Sequence, residues 1–348
     1  MKTHRFIGEK MSYKGGGSKT FSAHCPPHYL ISCSSWVNCY NFFMKILISG
    51  GAGFIGQNLA RYLLDHGEQV IILDRNRSGI TSPRMQSFEI DLLKPEFFEQ
   101  RWFEGVDGVI NLSGKDIFTL WTDKAKKMIL DSRVKVNRNL IDFIARLDRK
   151  PKVFISASAV GYYGNRGEAE LLEHEGPGQG FLAEVCKAWE AEAKKAEEYG
   201  IRSVQVRTAP VLLRSGGLLH QLLKSMRFGF TFLFGSGNQW FSWVHMHDLV
   251  RIYHQAATDE TLSGPLNACA PNPIRFRDFL HYLTRYKRSL IMPIPVWILK
   301  LFLQETADVV LFSQKMVPGK LLERNYRFSY PSAEDALRDI FTNRDIES

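Results

Sequence analysis

The chain has 348 residues, 45% of them hydrophobic and 23% charged, a composition typical of a folded protein with a substantial core. Of its formal net charge of +9, residues 1–43 carry +4 and the remainder carries +5. The sequence has no apolar run of roughly 18 residues and no basic stripe with interleaved aromatic residues, so it predicts neither a membrane span nor nucleic-acid binding.

Residues 1–43 differ in pattern from the rest of the chain. They contain a Gly15–Gly17 run and no sustained hydrophobic period, which predicts an unstructured leader, a transit peptide or an upstream mis-assigned start. The cluster from His24 to His28 lacks a second ligand pair, so no metal site is predicted. The five cysteines are an odd number and indicate a reducing, cytoplasmic setting rather than a disulfide framework.

From residue 44 to about residue 210, short apolar strands alternate with amphipathic helices. The predicted strands are Lys45–Ser49, Val70–Asp74, Gly108–Asn111, Val153–Ser156 and Ser203–Arg207; the predicted helices are Ile55–His66, Pro95–Trp102, Thr122–Arg146 and Leu182–Tyr199. This alternation requires parallel pairing and predicts an α/β fold, a doubly wound Rossmann sheet over residues 44–210. Residues 211–348, with glycine-rich loops and short helices such as Asp248–Thr258, predict a smaller mixed C-terminal substrate lobe.

A glycine turn directly follows the first predicted strand. Gly50, Gly53 and Gly56 are spaced so that the first permits a tight turn, the second lets a pyrophosphate approach and the third lets helix and strand pack closely. Phe54 and Ile55 begin the helix, whose free N–H groups would face the phosphates. The pattern predicts a dinucleotide site.

The coenzyme choice depends on the end of the second strand. Asp74 can accept both ribose hydroxyls and would repel a 2′-phosphate, which favours NAD. Arg75 and Arg77 follow at once and could bind that phosphate, so NADP stays open.

Several further segments carry a family resemblance. They are Asn111–Gly114, Ser156–Gly164, Phe181–Cys186, Gly235–Trp240 and Lys320–Glu323. With the glycine turn, they resemble the extended short-chain dehydrogenase/reductase superfamily, and within it the atypical group of "epimerase family proteins" with a characteristic C-terminal segment. The resemblance runs from about residue 44 to residue 340. It implies NAD or NADP as cofactor, and extended members of the superfamily often pair as homodimers.

The resemblance also implies cofactor contacts at matching positions. Asn111, Leu112, Ser113 and Gly114 would lie beside the adenosine and pyrophosphate. Asp91 resembles the acid that holds the adenine amino group. Arg133 occupies the place of an active-site Asn and could bind a cofactor phosphate, or could be a surface arginine.

The catalytic residues depart from the superfamily pattern. Ser158 matches the usual serine, but the positions of the Tyr and Lys pair fall on Leu182 and Cys186. Candidate replacements are Tyr162, Tyr163, Glu184 and Cys186, each of which also has a structural explanation as a pocket wall, a helix start or a buried hydrophobe. His245 and His247 could reach the pocket or be structural.

Two functions follow from these features. The first is an NAD(P)-dependent oxidoreductase or epimerase acting on a small hydroxylated or sugar-like metabolite. The second is a non-catalytic dinucleotide-binding regulatory protein, which the loss of the Tyr and Lys pair would permit.

Overall fold

The structure is a computed structural model and describes residues 43–342. Its strands are β1 Lys45–Ser49, β2 Gln69–Asp74, β3 Met85–Glu89, β4 Gly108–Asn111, β5 Val153–Ala159, β6 Glu170–Leu171, β7 Arg202–Thr208, β8 Val211–Leu212, β9 Phe230–Phe234, β10 Trp240–Phe241, β11 Val244–His245, β12 Gly264–Ala268, β13 Ile274–Arg275, β14 Leu290–Ile294 and β15 Lys315–Met316. Its helices are α1 Phe54–Asp65, α2 Asp123–Ile144, α3 Phe181–Lys194, α4 Gly217–Met226, α5 Met246–Thr258, α6 Phe276–Tyr286, α7 Val296–Leu303, α8 Asp308–Leu311, α9 Gly319–Glu323 and α10 Ala333–Thr342. None of the helices within this range is long and apolar enough to cross a bilayer.

Seven strands form one parallel sheet in the order β12-β7-β5-β4-β1-β2-β3. Side chains of β1 alternate between its faces, because Ile46 and Ile48 enter one hydrophobic core and Leu47 enters the other. Helices α1 and α5 cover the first face, and α2 covers the second. The predicted doubly wound Rossmann sheet is therefore confirmed, with all five predicted strands in it.

One predicted helix is wrong. Instead of a helix over Pro95–Trp102, the chain makes two short 3-10 turns, Pro95–Phe97 and Gln100–Trp102, separated by extended backbone at Phe98 and Glu99. Phe98 and Trp102 are both buried in the second core, and the break between the turns lets both rings reach it. The predicted helix Leu182–Tyr199 ends earlier as α3 and continues as a 3-10 turn.

Two elements of the segment predicted as a C-terminal lobe, β12 and α5, belong to the central sheet and its covering layer. Strand β12 pairs in parallel with β7, and α5 packs on the first face of the sheet. A separate third core holds α4, α6 and α10 together, with Trp243 and Phe279 fully buried in it. The boundary predicted at residue 210 therefore does not hold for β12 and α5. The sequence of β12, Gly-Pro-Leu-Asn-Ala, lacks the β-branched residues that would have revealed a strand.

The buried carboxylate of Asp248, on α5, binds the backbone at residues 329 and 330. Asp248 is 1% exposed and accepts hydrogen bonds from the backbone N–H groups of Ser329 and Tyr330, both at 2.9 Å. Arg251 also donates to it at 3.1 Å. Because the carboxylate is buried away from water, these hydrogen bonds satisfy it and stabilise the junction.

Asp248→Ala is expected to lower the free energy of unfolding by about 2–4 kcal/mol, because it leaves two backbone donors without an acceptor. Urea denaturation measures this value. The control is Asp278→Ala, which removes an exposed side chain and should change stability by less than about 0.5 kcal/mol. Equal effects of the two substitutions would contradict the role of Asp248.

Candidate cofactor and active site

The glycine turn after β1 is too tightly packed for side chains. Gly50 has a φ of +75°, and a Cβ atom there would stand 2.8 Å from the backbone of Leu112. A Cβ atom at Gly56 would stand 2.4 Å from the carbonyl oxygen of Gly50. Gly53 precedes the first residue of α1, and a Cβ there would meet only the Gly50 oxygen, at 3.2 Å. The open amino end of α1 fits a pyrophosphate.

Asp74 is already engaged by the backbone. Its Oδ2 accepts from the N–H of Ala52 at 3.1 Å, and its Oδ1 accepts from the N–H of Asn76 at 2.9 Å. Arg75 and Arg77 are exposed beside it and form no ion pair with a described acid. The carboxylate thus ties β2 to the glycine turn, and two free guanidinium groups lie beside it.

A buried chain of polar side chains lies beneath the turn. Ser49 donates to Asn111 Oδ1 at 2.5 Å, and Asn111 donates to Asn137 Oδ1 at 2.6 Å. Asn137 donates in turn to Ser156 Oγ at 3.0 Å, and all four residues are fully buried. The side chain of Asn111 is therefore engaged in this buried network, where it holds β1, β4 and β5 together with α2.

The principal cavity at this edge of the sheet has a volume of about 590 Å³. Among the predicted site residues, those that line it are Gly50, Gly53, Phe54, Ile55, Gly56, Leu112, Gly114, Arg133, Ser158 and Cys186. The structure thus brings the glycine turn and the predicted serine to one cavity. Asp91 lies outside the lining, and its Oδ1 accepts from the N–H of Leu93 at 3.2 Å.

Ser158 is joined to a buried ion pair. Its hydroxyl donates to Glu190 Oε1 at 2.6 Å. Arg207 holds the same carboxylate with two hydrogen bonds of 2.9 Å, and the side chains of Arg207 and Glu190 are 3% and 12% exposed. The Arg207 guanidinium also lies 3.5 Å from the centre of the Tyr162 ring. Hydrogen bonds and the charge of Glu190 raise the pKa of Arg207 against the effect of burial, so the guanidinium stays charged in this buried position.

Three of the predicted catalytic side chains do not line the cavity. Tyr163 is fully buried, where its hydroxyl donates to Asn267 Oδ1 at 2.7 Å, and burial raises its pKa. Tyr162 packs on Arg207. Glu184 is exposed on α3 and lies outside the cavity lining. These three residues support the framework or face solvent.

Cys186 lines the cavity with a thiol whose surroundings disfavour ionisation. It is 4% exposed, and burial together with the charge of Glu190 raises the pKa of its thiol to about 12. A nucleophilic cysteine requires a thiolate, which this environment disfavours at neutral pH. Cys186 and Leu182 both face Gly161, with a Cβ atom at Gly161 falling 3.8 Å from the sulfur and 3.2 Å from Leu182 Cβ.

Arg133 reaches the cavity from α2. Its Nη1 donates to the carbonyl oxygens of Lys115 at 2.9 Å and Ile129 at 3.1 Å, and the guanidinium lies 5.0 Å from the Trp189 ring centre. A Cβ atom at Gly114 would stand 3.1 Å from its central carbon. Arg133 is therefore a cavity residue and not a surface arginine.

His245 and His247 do not line the cavity, so both have structural positions. His245 is 3% exposed, and its Nδ1 accepts from the backbone N–H of His247 at 3.2 Å, which caps α5. Burial lowers the pKa of His245 to about 4 and also lowers the pKa of His247.

Glu190, Arg207 and Asp308 are site residues that the sequence analysis missed. Asp308 lines the cavity from α8, and burial raises its pKa. Arg207 could have been noticed, because a charged residue inside an apolar strand requires a buried partner. The segment from His24 to His28, where no metal site is predicted, lies outside the described residues, and no group of three or more metal-binding side chains occurs in residues 43–342.

A parallel sheet in this strand order, with a glycine turn after its first strand, defines the class of NAD(P)-binding Rossmann proteins. The chain belongs to the NAD dependent epimerase/dehydratase family, whose profile matches residues 46–268. A second profile, a domain of unknown function (DUF1731), matches residues 294–340. Both findings confirm the resemblance to the epimerase family proteins.

Relatives and solved structures agree with this assignment. The Arabidopsis thaliana "epimerase family protein SDR39U1 homolog, chloroplastic" is 33% identical over 92% of this chain and 93% of its own length. The Bacillus subtilis "epimerase family protein YfhF" is 33% identical over 86% and 99%. The crystal structure of human epimerase family protein SDR39U1 with NADPH has a TM-score of 0.76 and 28% identity, covering 86% of this chain and 100% of that one. A nucleoside-diphosphate sugar epimerase from Corynebacterium glutamicum has a TM-score of 0.69 and 32% identity, covering 86% and 58%.

Gly56→Ala is expected to lower the free energy of unfolding by more than about 2 kcal/mol and to abolish dinucleotide binding, because the added methyl group overlaps the Gly50 carbonyl. Gly79→Ala is the matched control, since no atom lies within 4 Å of its Cβ position. Denaturation and calorimetric titration with NADPH measure both effects. Normal NADPH binding by the Gly56 variant would contradict the proposed packing.

His245 is expected to make the protein less stable at acid pH. Its folded pKa of about 4 lies below the unfolded value of 6.5, so its contribution is present above pH 6.5 and is lost as pH falls through 4. The largest slope for one proton is about 1.4 kcal/mol per pH unit.

The matched variant is His245→Asn, which keeps an acceptor for the helix cap but does not titrate. Denaturation curves at pH 7 and pH 4.5 should show a smaller loss of stability for the variant than for the wild type. Equal losses would exclude His245 as a source of acid sensitivity.

Proposed function

We propose that this protein is an NADP(H)-dependent oxidoreductase that acts on a small hydroxylated metabolite. The observation that carries the proposal is the Ser158 hydroxyl, which lines the same cavity as the glycine turn and donates to Glu190 at 2.6 Å. A hydroxyl joined to an ionised carboxylate, close to a dinucleotide site, is a suitable proton acceptor.

The environment of Asp74 supports NADP(H) over NAD. Both carboxylate oxygens of Asp74 accept a backbone hydrogen bond, so part of the acceptor capacity that two ribose hydroxyls would use is already taken. Arg75 and Arg77 remain available for a 2′-phosphate. The human relative crystallised with NADPH supports the same choice.

The proton path begins at Ser158. Its single proton is given to Glu190, so its oxygen lone pairs remain to accept a hydrogen bond from a substrate hydroxyl. Arg207 keeps Glu190 ionised and fixed, which makes Arg207 a positioning residue. Bound NADP⁺ would supply the acceptor for hydride from the substrate carbon.

This path would replace the usual Tyr and Lys pair. Helix α3 contains no tyrosine, and Leu182 and Cys186, at the positions aligned with that pair, both line the cavity. Leu182 has no proton to exchange, and the Cys186 thiol remains protonated at neutral pH. Ser158 and Glu190 are therefore the groups that we assign to proton transfer.

The partners and location are part of the same proposal. We propose a small-molecule substrate, no nucleic-acid or membrane partner, a homodimer and a cytoplasmic location. The cysteines of the described chain, Cys186 and Cys269, are free and buried, which supports a reducing environment.

Ser158→Ala is expected to lower kcat at least about 100-fold, because it removes the group that accepts the substrate proton. The affinity for NADPH, measured by calorimetry, should stay within about twofold. Ser225→Ala, on α4 and outside the cavity lining, is the control and should change neither value. If the wild type binds NADPH but oxidises or reduces no compound in a broad panel, the regulatory function is favoured instead.

The double substitution Arg75→Ala, Arg77→Ala is expected to weaken NADPH binding by about 10–100-fold while leaving NADH binding unchanged, because it removes two charged contacts to the 2′-phosphate. Calorimetry with both coenzymes measures the ratio. Arg101→Ala, which removes another exposed arginine, is the control. An equal loss for NADH and NADPH would contradict the preference.

A further inference from the structure

The C-terminal segments contribute no cation to the cavity. Their contributions to the lining come from residues 211–242 and 308–314 together with Tyr253 and Phe276, and among them Asp308 is the one charged side chain. The cations of the lining, Lys115 and Arg133, come from the other side, next to the glycine turn. A substrate diphosphate would therefore meet a carboxylate and no guanidinium or ammonium group on the substrate side.

The polar side chains on that side have their donors occupied. Gln239 Nε2 donates to the carbonyl oxygens of Phe234 and Val310 at 3.2 and 3.0 Å. Gln314 Nε2 donates to those of Val160 and Gly164, both at 3.0 Å.

Two further donors are occupied as well. The Trp240 Nε1 donates to Glu168 at 2.9 Å, and the Ser242 hydroxyl donates to the Gln314 carbonyl at 2.7 Å. The Tyr253 hydroxyl, which also belongs to the lining, has no hydrogen-bond partner among the described residues but is itself fully buried. A phosphorylated ligand would therefore lose its hydrogen bonds to water here without gaining donors from Gln239, Gln314, Trp240 or Ser242.

The amino end of α4 also reaches the cavity, at Gly217, and could in principle bind an anion. The Phe54 ring covers it. A Cβ atom at Gly216 would stand 2.3 Å from that ring, and one at Gly217 would stand 3.5 Å from it. An apolar ring against the helix terminus excludes a phosphate from these N–H groups.

The remaining wall on this side is apolar. Val309 packs in one cluster with Val185 and Leu182 across the cavity, and Phe312 and Phe241 complete the lining. Apolar walls with few polar groups favour ligands that are themselves apolar.

From this distribution of charge and hydrogen-bond donors, we infer that the substrate is a compact, uncharged and mainly apolar alcohol, or the corresponding carbonyl compound, and not a nucleotide sugar or a polyol. This inference rests on the proposed oxidoreductase function. In the oxidation, the hydroxyl proton passes to Ser158 and onward to Glu190, the carbinol C–H bond breaks and its hydride goes to NADP⁺, which is reduced as the alcohol becomes a carbonyl.

The test uses the full chain in two stages. Calorimetry first measures NADPH binding, and failure of NADPH to bind would overturn the proposed function itself. The protein saturated with NADP⁺ is then titrated with benzyl alcohol, cyclohexanol, glucose and UDP-glucose. We expect binding of at least one of the two apolar alcohols and of neither sugar compound. Binding of glucose or UDP-glucose, or failure of both apolar alcohols to bind, would overturn the substrate class while leaving the coenzyme assignment intact.

Two variants locate the binding on the apolar wall. Phe312→Ala should weaken binding of the apolar alcohol about tenfold with unchanged NADPH affinity, whereas Phe228→Ala, which removes an 81% exposed ring outside the cavity lining, should change neither.

Asp308→Asn should change the affinity for an uncharged ligand less than about threefold, because it removes a charge and little volume. A gain in UDP-glucose binding large enough to measure in the Asp308 variant would show that a diphosphate fits the cavity, and would overturn the inference.

Discussion

The arrangement of the site depends on the ion pair between Arg207 and Glu190. It joins the end of β7 to α3, supplies the acceptor for the Ser158 hydroxyl and places a guanidinium group under the Tyr162 ring. Breaking such a pair by removing one partner leaves a buried charge and costs about 3–5 kcal/mol, so its geometry is strongly maintained. The two hydrogen bonds from Arg207 fix the Glu190 carboxylate, and this carboxylate fixes the direction in which the Ser158 hydroxyl donates. The lone pairs of the Ser158 oxygen are left to accept a hydrogen bond in the cavity. Tyr163 is bound into the same cluster, because Arg207 donates to its hydroxyl at 2.9 Å.

The nucleotide side of the site is held by contacts that leave little freedom. The glycine turn lies against the backbone that follows β4, and the buried chain from Ser49 through Asn111 and Asn137 to Ser156 crosses the sheet beneath it. A fully satisfied buried polar network of this kind fixes the relative positions of the strands that it joins. The cavity therefore has a rigid floor on the nucleotide side, where Lys115 and Arg133 supply its cations beside Asp116. The opposite wall has no cation and is apolar over much of its surface.

Because the two sides of the cavity differ, the family of the protein and the identity of its substrate are separate questions. Membership in the NAD dependent epimerase/dehydratase family follows from the nucleotide side, which the profile match covers. In the function proposed above, the substrate would contact segments beyond the central sheet, including the region around Asp308 and Phe312, which lies in the domain of unknown function matched at residues 294–340. A shared nucleotide fold therefore leaves the substrate open, since function lies in the residues of the site and not in the fold.

The sequence by itself determined the sheet and the glycine turn, because both are local: five strands with alternating apolar residues, and glycines whose spacing has one geometric use. The family resemblance also identified Ser158 as a candidate site residue. The sequence could not determine that β12 returns to the sheet, that Glu184 is exposed, or that Glu190 and Arg207 are partners, since Glu190 lies 17 positions from Arg207 and 32 from Ser158 in the chain. Only tertiary packing brings such residues within hydrogen-bond distance. Burial and the nearby charge of Glu190 raise the pKa of the Cys186 thiol, while the Glu190 carboxylate is held by the Arg207 guanidinium.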